Sequence, residues 1–126
     1  MAKKRKIDPV EGRKVLNFYR DRIASGELVD RSTAATATRY LLEELALIAP
    51  GNSVEVRVPP YGAVQCVPGP KHHRGTPPNV IELSPHSWFL LATGQKTWSE
   101  LLAAGEINAS GTRADLSKLL PIMTLK

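Results

Sequence analysis

The spacing of apolar and polar positions changes period twice along this chain, and each change marks a new kind of element. Val15, Leu16, Tyr19 and Ile23 recur at helical intervals and stop at Gly26. Asp8-Pro9-Val10-Glu11 opens that helix with an N-cap acid, a proline at the first helical position and Glu at N3. A second stripe of Ala34, Ala37, Leu41, Leu45 and Ile48 predicts another helix, capped by Asp30 or Ser32 and ended by Pro50-Gly51. Arg39, Glu43 and Glu44 fall on its wet face. The period then drops to two: Val54, Val56 and Val58 alternate with Glu55 and Arg57, which predicts a strand with one buried face.

Pro59-Pro60-Tyr61-Gly62 reads as a turn, and Ala63–Val67 as the returning partner strand. Residues 68–79 hold Pro68, Pro70, Pro77 and Pro78, so this stretch is a loop. Val80–Leu83 is a third strand, and Ser84-Pro85 starts a short helix ending at Gly94. Thr97-Trp98-Ser99-Glu100 has the form of a capping box, with Gly105 as the C-terminal stop. Ile107–Ala109 predicts a fourth strand, turned at Ser110-Gly111. A closing helix, capped by Thr112 and Asp115, would carry Leu116, Leu119, Leu120 and Met123.

Length allows one domain with a single core. It is expected to occupy residues 8–126 behind a flexible basic arm at 1–7. The net charge of +5 suggests nucleic acid until its distribution is considered: Lys3, Lys4, Arg5 and Lys6 supply four of those charges. The remaining body is close to neutral, and its two Trp, three Tyr and two Phe mostly follow core spacing. Both facts argue against a nucleic-acid groove. The lone Cys66 rules out an intramolecular disulfide and fits a reducing cytoplasm. No apolar run is long enough to span a bilayer, so no transmembrane segment is expected.

Lys71-His72-His73-Arg74 is the densest polar cluster of the body, and Gly69 and Gly75 would let backbone approach an anion there. The same charges could simply solvate a loop. Cys66, His72, His73 and His86 include metal-ligand types but lack zinc-site spacing, so no metal or other cofactor is expected. A buried strand cysteine more often packs as a small hydrophobe than acts as a nucleophile. No paired carboxylates, Gly-rich phosphate loop or HExxH pattern occurs, so no catalytic residue is assigned. Trp88, Phe89, Leu90 and Leu91 make one helix apolar all round, and Trp98, Leu101 and Leu102 stripe the next. These fit an ordinary core, or the wall of an apolar pocket left by two short helices.

Trp88, Leu91-Ala92-Thr93-Gly94, Trp98, Gly105-Glu106-Ile107 and Ser110-Gly111-Thr112-Arg113-Ala114-Asp115-Leu116 together resemble the bacterial branch of the sterol-carrier-protein family. Val56–Pro60, Gly62–Cys66 and His72–Glu82 resemble a small actinobacterial group of sterol-carrier orthologues. Related domains are fused to mycothiol-dependent isomerases, where a separate metal domain does the chemistry; nothing like that domain is present here. The resemblance implies an α+β fold, with a mixed or antiparallel sheet of about five strands and helices covering one face. It also implies an apolar tunnel and a non-enzymatic binder of lipid or acyl-type ligands. By position, Arg74, Thr76, Asn79, Trp88, Arg113 and Asp115 are its motif residues, with Gly94, Gly105 and Gly111 shaping turns. An acyl chain is expected against Trp88, Leu91, Trp98 and Leu101, its anionic head meeting Arg74 and His73. The alternative is a protein-interaction module with a filled core, docking a protein partner through 68–79.

Overall fold

The computed structural model describes residues 5–69 and 78–125. Two helices come first, α1 (Pro9–Ala24) and α2 (Arg31–Ile48). The hairpin β1 (Val54–Val58) and β2 (Gly62–Cys66) follows, then β3 (Asn79–Leu83), α3 (Pro85–Ala92), α4 (Trp98–Ala103) and β4 (Ile107–Ser110). The sheet has four strands in the order β2-β1-β3-β4, close to the count the resemblance implies. It is mixed: β1 runs antiparallel to β2 and parallel to β3, and β3 runs antiparallel to β4.

The period-two pattern does what its alternation dictates. Val54, Val56, Val58, Ile81 and Leu83 are buried on one face, while Arg57 and Glu82 are at least partly exposed on the other. The helices cover the buried face, where Leu16, Tyr40, Leu41, Leu45, Trp88 and Leu116 complete a single core. Gly12 is what lets α1 approach α2 so closely: a Cβ there would collide with the Tyr40 ring.

Helix starts follow the caps read from sequence. Asp8 accepts from the Glu11 N–H at 3.3 Å. Of the two candidates for α2, Asp30 is the cap, bonded to the Thr33 N–H at 3.3 Å. Thr97 and Glu100 close both halves of the capping box, at 3.1 and 3.0 Å. Gly94 and Gly105 lie just past α3 and α4, both with positive φ.

The end of the chain departs from the expected closing helix. Only one turn of 3-10 helix forms, Ser117–Leu119. Its N-cap is Leu116, not the Thr112 or Asp115 expected, and it has no side-chain cap; Asp115, one residue earlier, accepts from the Ser117 N–H at 2.7 Å. Pro121 prevents continuation, since it can neither donate an N–H nor tolerate the preceding helical turn. The segment instead crosses back to α3, where Ile122 and Met123 N–H groups donate to the Ala92 carbonyl at 2.9 and 3.1 Å. Leu116 still reaches the core and is fully buried. The second strand is also shifted by one residue: Val67 leaves the sheet with φ +66° and donates to the Ala49 carbonyl at 2.7 Å.

Candidate functional site

Pairing β1 with β3 leaves β2 at the sheet edge, and α2 packs beside it. Arg39 sits at the start of this contact, its Nε donating to the Tyr61 carbonyl at 2.9 Å. From there α2 presents Leu42, Glu43, Ala46 and Leu47, at i+3, i+4, i+7 and i+8, which is the spacing of one helical face. Between this face and Gly62–Val64 of β2 lies a cleft of about 810 Å³. Leu42, Ala46, Leu47 and Val64 make its wall apolar. Among the described residues its lining carries no His, Cys or Ser.

The third wall is the segment Arg5-Lys6-Ile7, laid across α2. Glu43 accepts the backbone N–H of Lys6 at 3.3 Å and of Ile7 at 3.2 Å. Arg5 pairs with Glu44, and its guanidinium lies 5.6 Å from the centre of the Tyr40 ring. Desolvation works against the Arg5 charge, but the hydrogen bond and attraction of Glu44 outweigh it and raise its pKa. Tyr40 is also raised, by burial first and then by Glu44. Ile7 packs on the core edge. Among the described residues the lining therefore holds three cations, Arg5, Lys6 and Arg39, against the single carboxylate of Glu43. Such a site can take an apolar chain along its wall and a polar or anionic group at its rim.

A second, smaller cleft of about 210 Å³ lies among Pro59, Glu82, Ser84, Glu106 and Asn108. Among the described residues no group of three His, Cys, Asp or Glu could hold a metal ion. Cys66 is buried in β2, and His86 is exposed with Nδ1 3.4 Å from the Tyr19 hydroxyl.

The residues singled out by sequence divide into three groups. Trp88, Leu91, Trp98 and Leu101 lie in the packed core, none more than 7% exposed, and neither cleft includes any of them. Trp88 Nε1 donates to the Thr38 carbonyl at 3.3 Å, which anchors the indole against α2. Asn79 and Arg113 come together with Gly111. The buried Asn79 amide donates to the Ser53 carbonyl at 2.8 Å and accepts from the Arg113 N–H at 2.9 Å. A Cβ on Gly111 would strike Asn79 and the Pro78 carbonyl, so this position needs glycine. The group ties β1, β3 and the turn after β4 together. His72, His73, Arg74 and Thr76 lie outside the described residues, as does most of the 68–79 loop.

The family described as bacterial SCP ortholog matches residues 30–122. The chain belongs to that family. The matched span runs from the cap of α2 through the 3-10 turn, so it takes in the α2 and β2 walls of the cleft. Helix α1 and the Arg5–Ile7 wall precede it. No curated protein matches the chain. No helix among the described residues is long and apolar enough to cross a membrane.

Sequence reasoning missed the cleft because Arg39 and Glu43 read as ordinary solvent-facing charges. Two signals were present. Leu42, Ala46 and Leu47 widen the apolar arc of α2 beyond the stripe read from its spacing, and Ile7 is an apolar residue inside a basic arm.

Proposed function

We propose that this member of the SCP family binds a small amphipathic molecule of lipid or acyl type in the cleft between α2 and β2, without turning it over. The observation that carries the proposal is the cleft itself. Its 810 Å³ falls within the about 300–1,000 Å³ typical of small-molecule sites, and it combines an apolar wall with a few polar groups at one rim. Membership of the bacterial SCP ortholog family agrees with a carrier role. The cleft is a different place from the one expected beneath Trp88 and Trp98, whose side chains are buried and line neither described cleft.

Magnitudes favour reversible binding. Each methylene removed from water is worth roughly 0.8 kcal/mol, so about ten give roughly 8 kcal/mol before an association cost of at least about 4. That balance leaves at most about 4 kcal/mol, so the apolar wall alone supports a complex of about millimolar affinity, and polar contacts at the rim must supply anything tighter. The test is native mass spectrometry of the purified protein before and after delipidation, with titration of dodecanoate and dodecanol. The reading predicts a co-purifying species or saturable binding of one probe at a single site. Absence of any bound species, together with flat titrations of both probes, would remove it.

A further inference from the structure

We infer that Arg5-Lys6-Ile7 is a charge-completing strap, which makes the cleft selective for an anionic head group only while it is latched to α2. The inference rests on the cleft being the ligand site and adds how that site sets its preference.

The latch is specific in its chemistry. Glu43 accepts two consecutive backbone N–H groups, from Lys6 and Ile7, and Glu44 takes the Arg5 guanidinium. Backbone donors cannot be replaced by side-chain substitution, so Glu43 reads the path of the segment. The downstream end is equally defined. Ile7 packs on the core edge and Asp8-Pro9 starts α1, so the strap is held at its Ile7 end.

The strap changes the charge of the cavity in two ways at once. It brings Arg5 and Lys6 to a rim where Arg39 is the other described cation, and it engages Glu43, the one carboxylate among the described lining residues. Latched, the described lining holds Lys6, Arg39, an Arg5 paired with Glu44, and a hydrogen-bonded Glu43. Released, it would hold Arg39 facing a bare Glu43, which cancels the preference for an anion. Binding of an anionic amphipath and closure of the strap are therefore coupled, and each must favour the other to the same degree. A neutral ligand of equal length meets the same α2 and β2 walls in both states and gains nothing from the strap's charges.

The experiment compares dodecanoate with dodecanol on the full chain, as wild type, as Arg5→Ala/Lys6→Ala and as Glu43→Gln. Amide hydrogen exchange at Lys6 and Ile7 is read in parallel. Wild type is expected to prefer dodecanoate by about fivefold to tenfold, the scale of one or two partly exposed charge contacts. Arg5→Ala/Lys6→Ala is expected to lower that preference to about twofold or less, with dodecanoate losing more affinity than dodecanol. Glu43→Gln is expected to speed exchange at both amides and to hasten release of dodecanoate. An undiminished preference in Arg5→Ala/Lys6→Ala, with both probes still bound, would overturn the strap and leave the cleft reading intact. So would exchange at Lys6 and Ile7 that is as fast in wild type as in Glu43→Gln. Failure of wild type to bind either probe would instead strike the cleft reading, and the strap's role with it.

Discussion

Two apolar regions of this protein differ in composition and in what lies beside them. Around α3 and α4, Trp88, Phe89, Leu91, Trp98 and Leu101 pack until almost no surface remains. Along α2, the plainer set Leu42, Ala46 and Leu47 faces the sheet edge at β2 and borders a cleft of about 810 Å³. The difference is topological. Helix α3 packs against α2 and is tied to the end of the chain by the Ala92 carbonyl, so its bulky side chains are enclosed. Strand β2 has no described neighbour on its outer side, and α2 overhangs an edge rather than a closed sheet. The aromatic residues lie in the buried core, and the cleft proposed for the ligand lies beside the edge strand.

The strongest way to break this contrast is to empty the packed region. Trp88→Ala is expected to cost about 3–5 kcal/mol, because a fully buried indole leaves a cavity and the Thr38 carbonyl loses its donor. Thermal and urea unfolding would measure it. Where that variant remains folded, dodecanoate affinity should stay near wild type. A large loss of affinity without loss of stability would return the ligand to the tryptophans.

The converse is to fill the open region. Leu47→Trp places a large side chain on the cleft wall at a half-exposed position. Probe affinity is expected to fall about tenfold or more, with stability changed by less than about 1 kcal/mol. Isothermal titration and a melting curve separate the two effects. An equal fall in both would mean that Leu47 belongs to the core.

A smaller effect touches the fold alone. Hydrogen bonds lower the carboxyl pKa of Asp30 from Thr33, of Glu100 from Thr97 and of Asp115 from Ser117. Each folded value lies below its unfolded one. The stabilisation is therefore complete above the ordinary carboxylate range, about pH 4, and is lost as pH falls through the lowered values. The melting temperature should decline gently below about pH 4, and Asp115→Asn should flatten part of that decline. A decline that sets in above about pH 5 would point to other groups.

Much of the fold was legible in the residues. Alternation at Val54–Val58, the capping box at Thr97–Glu100 and the acids at Asp8 and Asp30 each act over a few positions, where local rules decide. The closing helix was over-read because Leu116, Leu119 and Leu120 have helical spacing whether or not Pro121 allows a helix to continue. The cleft was not legible. Its walls come from Arg5–Ile7, α2 and β2, segments brought together only by the order of strands, and its charges look like solvated ones when read along the helix. Nor can periodicity separate a ligand wall from a core: Trp88 and Leu91 satisfy both patterns, and only the final packing chooses.

The account stands on where an amphipathic molecule sits. Chemical-shift mapping by heteronuclear NMR during titration with dodecanoate measures that directly. Shifts concentrated at Leu42, Leu47, Val64 and Arg39, with the Trp88 and Trp98 indole N–H signals still, are the expected result. Movement centred on the two indoles, with α2 and β2 unchanged, would contradict it.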